Sequence, residues 1–133
     1  MKRISLLLVV LPLVLLAGCD GDSTSTVTPV AIDSGDMTVG AGNSETLSQF
    51  NIGEPGQLAV TVTWSTGPDN LTLMLQAMGG AAALNTGDSP LVVRMDVTQA
   101  VLDTSNDFGA GVTNSDPADD ADIQFTITFT PAG

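Results

Sequence analysis

Carboxylates are the most abundant side chains in this sequence that could take part in chemistry. The 133 residues include 15 Asp and Glu, three Lys and Arg, one Cys and no His. Without histidine, the chain lacks the usual general base, the Ser-His-Asp and Cys-His arrangements, and histidine-ligated metal sites. Two carboxylates alone could serve a glycosidase, but among this many acids such a pair arises by chance. We therefore expect the protein not to be an enzyme.

The densest group of carboxylates lies in a predicted turn near the C-terminus. It comprises Asp116, Asp119, Asp120 and Asp122, four acids within seven residues. Hard oxygen ligands on a bendable loop are what calcium prefers, although this spacing differs from that of an EF-hand. Two interpretations stay open: a calcium site, or an acidic turn that is only solvated.

The start of the chain has the pattern of a secretion signal. Basic residues at Lys2 and Arg3 precede an apolar run from Ile4 to Leu16, which ends in small residues. This run is shorter than the roughly 20 apolar residues that a membrane-spanning helix needs. The pattern predicts a signal peptide over residues 1–18 that is cleaved from the mature protein.

The residues Leu16, Ala17, Gly18 and Cys19 resemble the lipobox of bacterial lipoproteins. The resemblance implies cleavage after Gly18 and acylation of Cys19, with a diacylglyceryl thioether and an amide-linked chain such as palmitate. Several acyl chains hold a protein firmly to a membrane. We expect a lipid-anchored protein of the bacterial cell envelope. Asp20 is similar to the signal that retains lipoproteins in the inner membrane, facing the periplasm.

The mature chain is strongly acidic. It carries all 15 acidic residues against a single cation, Arg94, which gives a formal charge of −14. This charge repels phosphate backbones and anionic headgroups, and so excludes nucleic-acid binding and a polybasic membrane patch. Since Cys19 carries the lipid, no thiol is left for an internal disulfide, and packing must supply the stability.

The mature chain divides into a polar tether and a domain. Residues 19–36 are rich in Ser, Thr, Asp and Gly, which is typical of a flexible tether, although residues 30–32 could form a first edge strand. Residues 37–133 are predicted to fold as one domain. Within them, apolar residues alternate with polar ones in four runs, the pattern of strands with one buried face. The apolar members are Leu58, Val60, Val62 and Trp64; Leu71, Leu73 and Leu75; Leu91, Val93, Met95 and Val97; and Ile123, Phe125, Ile127 and Phe129.

Turn-forming residues separate these runs, at 53–56, 67–70, 85–90 and 114–120. Half-buried strands must pair their apolar faces, so the pattern predicts an all-β antiparallel sandwich, jelly-roll-like, of roughly seven to nine strands. Residues 76–84 combine alanines with adjacent glycines and are expected to form a loop or short crossover. Trp64 is expected in the core or at its rim.

Part of the domain has a familiar order of features. Val39-Gly40 leads through Ser44 to Gln49-Phe50, Gly56-Gln57-Leu58 opens the run to Trp64, and Asn70-Leu71-Thr72-Leu73 follows a turn. This order resembles the pre-peptidase C-terminal domain, a small β-sandwich appended to secreted bacterial proteases. The resemblance implies a noncatalytic accessory sandwich. It carries over no functional residue, because the family has acidic residues where Asn70 and Thr72 stand, and a closing tyrosine that this chain lacks.

These features predict a noncatalytic, lipid-tethered binding or accessory module that takes an unknown protein or glycan ligand. Two alternatives remain: a structural subunit that assembles through strand edges, or a calcium-dependent adhesion module.

Replacing Cys19 by Ser should abolish labelling with a fatty-acid probe and release the protein from the membrane, because it removes the sulfur that is acylated. Labelling can be followed by gel fluorescence and release by cell fractionation. Unchanged labelling of the variant would rule out lipidation at Cys19.

Overall fold

The computed structural model describes residues 27–133 as eight strands and one short helix. In chain order these are β1 (Val30–Val39), β2 (Ser44–Asn51), β3 (Gly56–Thr63), β4 (Leu71–Ala77), β5 (Ala82–Gly87), β6 (Leu91–Val97), α1 (Gln99–Thr104), β7 (Asp107–Thr113) and β8 (Ala121–Pro131). Within this part of the chain, no helix is long and apolar enough to cross a bilayer.

The strands form two four-stranded antiparallel sheets. Sheet A has the order β1-β8-β3-β6, and sheet B has the order β2-β7-β4-β5. Apart from the hairpin of β4 and β5, successive strands therefore pass between the sheets in the manner of a jelly roll. This confirms the prediction of an all-β antiparallel sandwich of jelly-roll type.

The core lies between the sheets and is built from the alternating apolar residues. Those predicted to be buried are buried: Leu58, Val60, Val62, Leu71, Leu73, Ile123, Phe125, Ile127 and Phe129. Of the two positions expected for Trp64 it takes the rim: β3 ends at Thr63, and the indole is half-buried and packed against the core. β3 and β8, which supply eight of the 22 buried apolar residues, are neighbours at the centre of sheet A.

The sandwich begins at Val30 and not at residue 37. β1 takes in residues 30–36, which composition assigns to the tether, and pairs along its length with β8. A register shift between Ala31 and Asp33 interrupts the alternation, and β1 is an edge strand with only Val39 buried. Both features weaken the apolar pattern that marks a strand in sequence.

Two further strands have patterns that composition hides. Residues 76–84 hold the end of β4, a turn and the start of β5; Gly79 has a φ of 85°, a conformation that glycine adopts without strain. In β7, Phe108, Ala110 and Val112 are buried, while glycine occupies the intervening outward positions. Glycine and alanine are weak strand signals, which is why neither element stands out.

Ile127→Ala should lower the free energy of unfolding by about 2–5 kcal/mol, because it removes buried methyl groups and leaves a cavity. Ile127 is fully buried at the centre of β8. Chemical denaturation would measure the change. Thr126→Ala, at the exposed neighbouring position, should change it by less than about 0.5 kcal/mol. Equal changes in the two variants would contradict the assignment of the two faces.

Candidate binding site

The sandwich has two ends with different contents. Val30 lies opposite Phe129, so the chain enters at the end where β8 finishes. At the opposite end, Val39 lies opposite Ala121 and Ser44 opposite Thr113. We call this opposite end the distal end and define it by the loops at 40–43, 64–70, 88–90 and 114–120. It holds the acidic turn that the sequence singles out.

Asn114 joins the loops of the distal end. It is fully buried (0% exposed), and its backbone N–H donates to the carbonyl of Asn43 at 2.8 Å. Its side-chain amide donates to the carbonyls of Val39 at 3.2 Å and Asp119 at 2.8 Å. Its side-chain oxygen accepts from the N–H of Asp116 at 3.0 Å. A buried amide whose hydrogen bonds are all made fixes the positions of the groups around it.

The carboxylates of the acidic turn have separate partners. Asp116 accepts from the N–H groups of Ala118 at 2.7 Å and Asp119 at 2.9 Å, and so closes the turn on itself. Asp120 reaches the loop between β1 and β2, accepting from the N–H of Ala41 at 2.9 Å. Asp122 lies on β8 and accepts from the hydroxyl of Thr38 at 2.6 Å. Each of these three carboxylates is therefore hydrogen-bonded to a different segment of the chain.

The Asp116 carboxyl is stabilised in its charged form. The backbone N–H of Ala118, and secondarily that of Asp119, lower the pKa of Asp116 below its ordinary value. A lowered folded-state pKa contributes stability that is present above the unfolded-state pKa and is lost as the pH falls through the folded-state pKa. The stabilisation that these two hydrogen bonds give the turn should therefore be lost in acid.

The structure does not gather the predicted calcium ligands into a cluster. Among residues 27–133, no group of three or more acidic, cysteine or histidine side chains is placed to hold a metal ion. Asp119 contributes its backbone carbonyl to Asn114, and the other three carboxylates serve the hydrogen bonds described above. The calcium site remains a prediction that needs its own measurement.

An open depression of about 680 Å³ lies at the distal end of sheet A. It is bordered by residues of β1, β8, the end of β3 and the loop that follows β3: Asp36, Met37, Thr38, Thr63, Trp64, Ser65, Asp122, Ile123 and Gln124. Gln124 lies at its centre, opposite Asp36 on one side and Thr63 on the other. Asp122 lies opposite Thr38. The polar side chains come from outward positions of adjacent strands, so the sheet spaces them regularly.

The depression offers hydrogen bonds of both kinds. Asp36 and Asp122 supply acceptors, and Gln124 supplies a donor and an acceptor. The indole N–H of Trp64 donates to the carbonyl of Pro68 at 2.8 Å, so only the ring surface could contact a ligand. Arg94, the single cation among residues 27–133, lies on β6 at the other edge of sheet A. The depression therefore combines two carboxylates and other polar side chains with the apolar side chains of Met37 and Ile123 and the aromatic ring of Trp64.

The sequence identifies Asp122 and Trp64 but not the depression. Asp36, Thr38, Thr63 and Gln124 occupy the polar positions of alternating strands, which look the same as any solvated face. They become a site only through the pairing of β1 and β3 with β8, which is not visible in sequence. The predicted lipobox residues Leu16, Ala17, Gly18 and Cys19 lie outside the residues that the structure describes.

Comparisons with known proteins give little guidance. No protein-family model and no curated protein matches the chain. One solved structure to which it is similar is a chain of the disulfide-linked pili formed by Bacillus endospore appendages. The two share 15% identity over 85% of this chain and 97% of that chain, with a TM-score of 0.49. A similarity at this level carries no argument about function.

Asn114→Ala should lower the free energy of unfolding by about 1–3 kcal/mol, because it leaves the carbonyls of Val39 and Asp119 without the amide donor. Chemical denaturation measures the change. Asn70→Ala, at an exposed position of the same end, is the matched control and should change little. Similar values for the two variants would show that Asn114 does not hold the distal loops together.

Calcium, magnesium at equal concentration and sodium at equal ionic strength should raise the melting temperature alike, because screening responds to ionic strength alone. A specific site would add about 2.7 kcal/mol at a hundredfold excess of calcium over its Kd. Differential scanning calorimetry distinguishes the two. A calcium-specific rise that disappears on Asp119→Asn with Asp120→Asn would establish the site.

Proposed function

We propose that this protein is a noncatalytic binding module of the bacterial cell envelope, held to a membrane by a lipid on Cys19. In this proposal the depression on sheet A takes a neutral, hydroxyl-rich ligand, and a glycan is the class that fits best. The lipobox-like residues before Cys19 support the anchor and the envelope location.

The lining of the depression is the observation that carries the ligand class. Its polar side chains alternate acceptors with groups that both donate and accept, as sugar hydroxyls require. The ring surface of Trp64 at its border could stack against a sugar ring. An anionic glycan is disfavoured, because it would meet Asp36, Asp122 and the −14 charge of the mature chain.

The position of the depression suits a tethered binder. The described chain enters at one end of the sandwich, and the depression lies at the other. β1 has 10 residues and spans on the order of 30 Å. A ligand in the depression would therefore be kept about that far from the point where the described chain enters the sandwich. A protein anchored before residue 27 would therefore present this end away from its membrane.

Binding is favoured over catalysis by what the lining contains. The only lining groups that could act as nucleophile, acid or base are the carboxylates of Asp36 and Asp122. The Asp122 carboxylate already accepts from the hydroxyl of Thr38, and the sequence supplies no histidine to assist either acid.

Neutral oligosaccharides should produce a saturable change in the intrinsic fluorescence of the protein. The chain has one tryptophan and no tyrosine, so this signal reports Trp64 at the border of the depression. Cello-, xylo- and malto-oligosaccharides are suitable probes, with oligogalacturonate as the anionic counterpart. No saturable change with any neutral probe would contradict the proposal. Saturable binding of oligolysine alone would instead indicate a basic protein ligand.

Two exposed glutamines on the outer face of sheet A make a matched pair of variants. Gln124→Ala, at the centre of the depression, should weaken binding about tenfold through the loss of hydrogen bonds to the ligand. Gln57→Ala should leave binding unchanged, because Gln57 bonds Asp96 near the opposite end of the sheet. Equal effects would place the ligand elsewhere.

A further inference from the structure

The four edge strands of the sandwich are not equally protected against pairing. β1 carries Asp33 and Asp36, and β2 carries Glu45; both strands also have a register shift. β6 carries Arg94 and Asp96. Charges and bulges of this kind are the usual means by which proteins keep sheet edges from pairing with another chain.

β5 is the exception. Its residues, Ala82–Gly87, include no charge and no proline, and its register with β4 is unbroken. β5 pairs only with β4, so the row of backbone groups on its other side has no strand beside it. An edge of this type is a template for a further strand.

The hairpin formed by β4 and β5 is also neutral and apolar. Residues 70–87 contain no charged side chain, and Asp69 and Asp88 bound them. Leu84 is 66% exposed and lies directly opposite Met74, which is 37% exposed; Met78 in the turn is 40% exposed. Met74 also lies opposite Gly111 of β7, and Gly111 has no side chain that could cover Met74. Three of the four large exposed hydrophobic residues in the described chain therefore lie on this hairpin.

We infer that the β5 edge docks a second copy of this chain. The two β5 strands pair antiparallel about a two-fold axis and join both copies of sheet B into one eight-stranded sheet, with the exposed Leu84 side chains brought together across the new pair. A two-fold contact of this type uses the same patch on both copies.

Charge is the reason for assigning a second copy to this edge. Two mature chains of −14 repel each other over any acidic face. On one side of the sandwich β1 and β2 present three carboxylates, whereas on the other β5 has no charge and β6 has one of each sign. The amide of Asn85 donates to the carbonyl of Val92 at 2.7 Å, so β5 and β6 lie on the same side. Identical acidic chains can approach there with the least repulsion.

Pairing along a single strand buries little surface, so the dimer should be weak and strengthened by salt, which screens the remaining repulsion. Sedimentation velocity on a chain beginning at Asp20 tests this, since such a chain retains every strand from Val30 to Pro131. We expect reversible dimerisation that increases with protein and salt concentration. A monomer at every concentration in high salt would overturn the inference.

Leu84→Glu should weaken the dimer by about tenfold or more, because it places like charges across the new strand pair. Val30→Glu is the matched control. Val30 is 54% exposed but lies on β1, the edge strand of sheet A on the other side of the sandwich from β5. This variant should dimerise normally. Equal losses in the two variants would show that added charge, and not the β5 edge, is responsible.

Cysteine cross-linking gives a second readout that does not depend on destabilising the contact. The chain beginning at Asp20 has no cysteine, so Leu84→Cys introduces a single thiol at the centre of β5. Under mild oxidation it should form a disulfide-linked dimer much faster than Thr126→Cys, an exposed position on the outer face of sheet A. Equal rates for the two thiols would overturn the inference.

Discussion

Burial of one face of each sheet against the other is the constraint on which the rest of this structure depends. Residues 27–133 contain no cysteine, so no disulfide within them can replace that packing. Alternation in β3 and β8 sends Leu58, Val60, Ile127 and Phe129 inward. The same alternation sends the intervening residues outward, so the packing that stabilises the domain also sets the spacing of the polar face on sheet A.

The distal end shows how an acidic chain uses its carboxylates structurally. Asp116, Asp120 and Asp122 each accept hydrogen bonds from protein groups, and Asn114 ties the turn that contains Asp116 to the loop that follows β1. These bonds fix the first residues of β8 beside β1, where Gln124 and Asp122 border the depression. The site is thus positioned by the sheet and held in place at its end by the acidic turn.

The sequence predicts the core well, because burial follows local alternation, and the site poorly, because the site depends on which strands are neighbours. Ile123, Phe125, Ile127 and Phe129 alternate cleanly, so the fold class and the buried face of β8 follow from local pattern alone. β1 is missed in part because a bulge interrupts its pattern, and β7 because glycine fills its outward positions. The depression depends on which strands are neighbours, as when Gln124 meets Asp36 and Thr63, and that pairing is not local information. The protective charges on β1, β2 and β6, and their absence from β5, become meaningful only when the edges are known.

We propose that the outer face of sheet A, at the distal end, is the surface that meets the ligand. A backbone NMR titration of the isotope-labelled chain beginning at Asp20, with the neutral oligosaccharide that binds most tightly, tests it most directly. We expect the largest shift changes at residues 36–38, 63–65 and 122–124, while β2 and β5 on sheet B stay unchanged. Shift changes centred on sheet B, or spread evenly over both sheets, would contradict it.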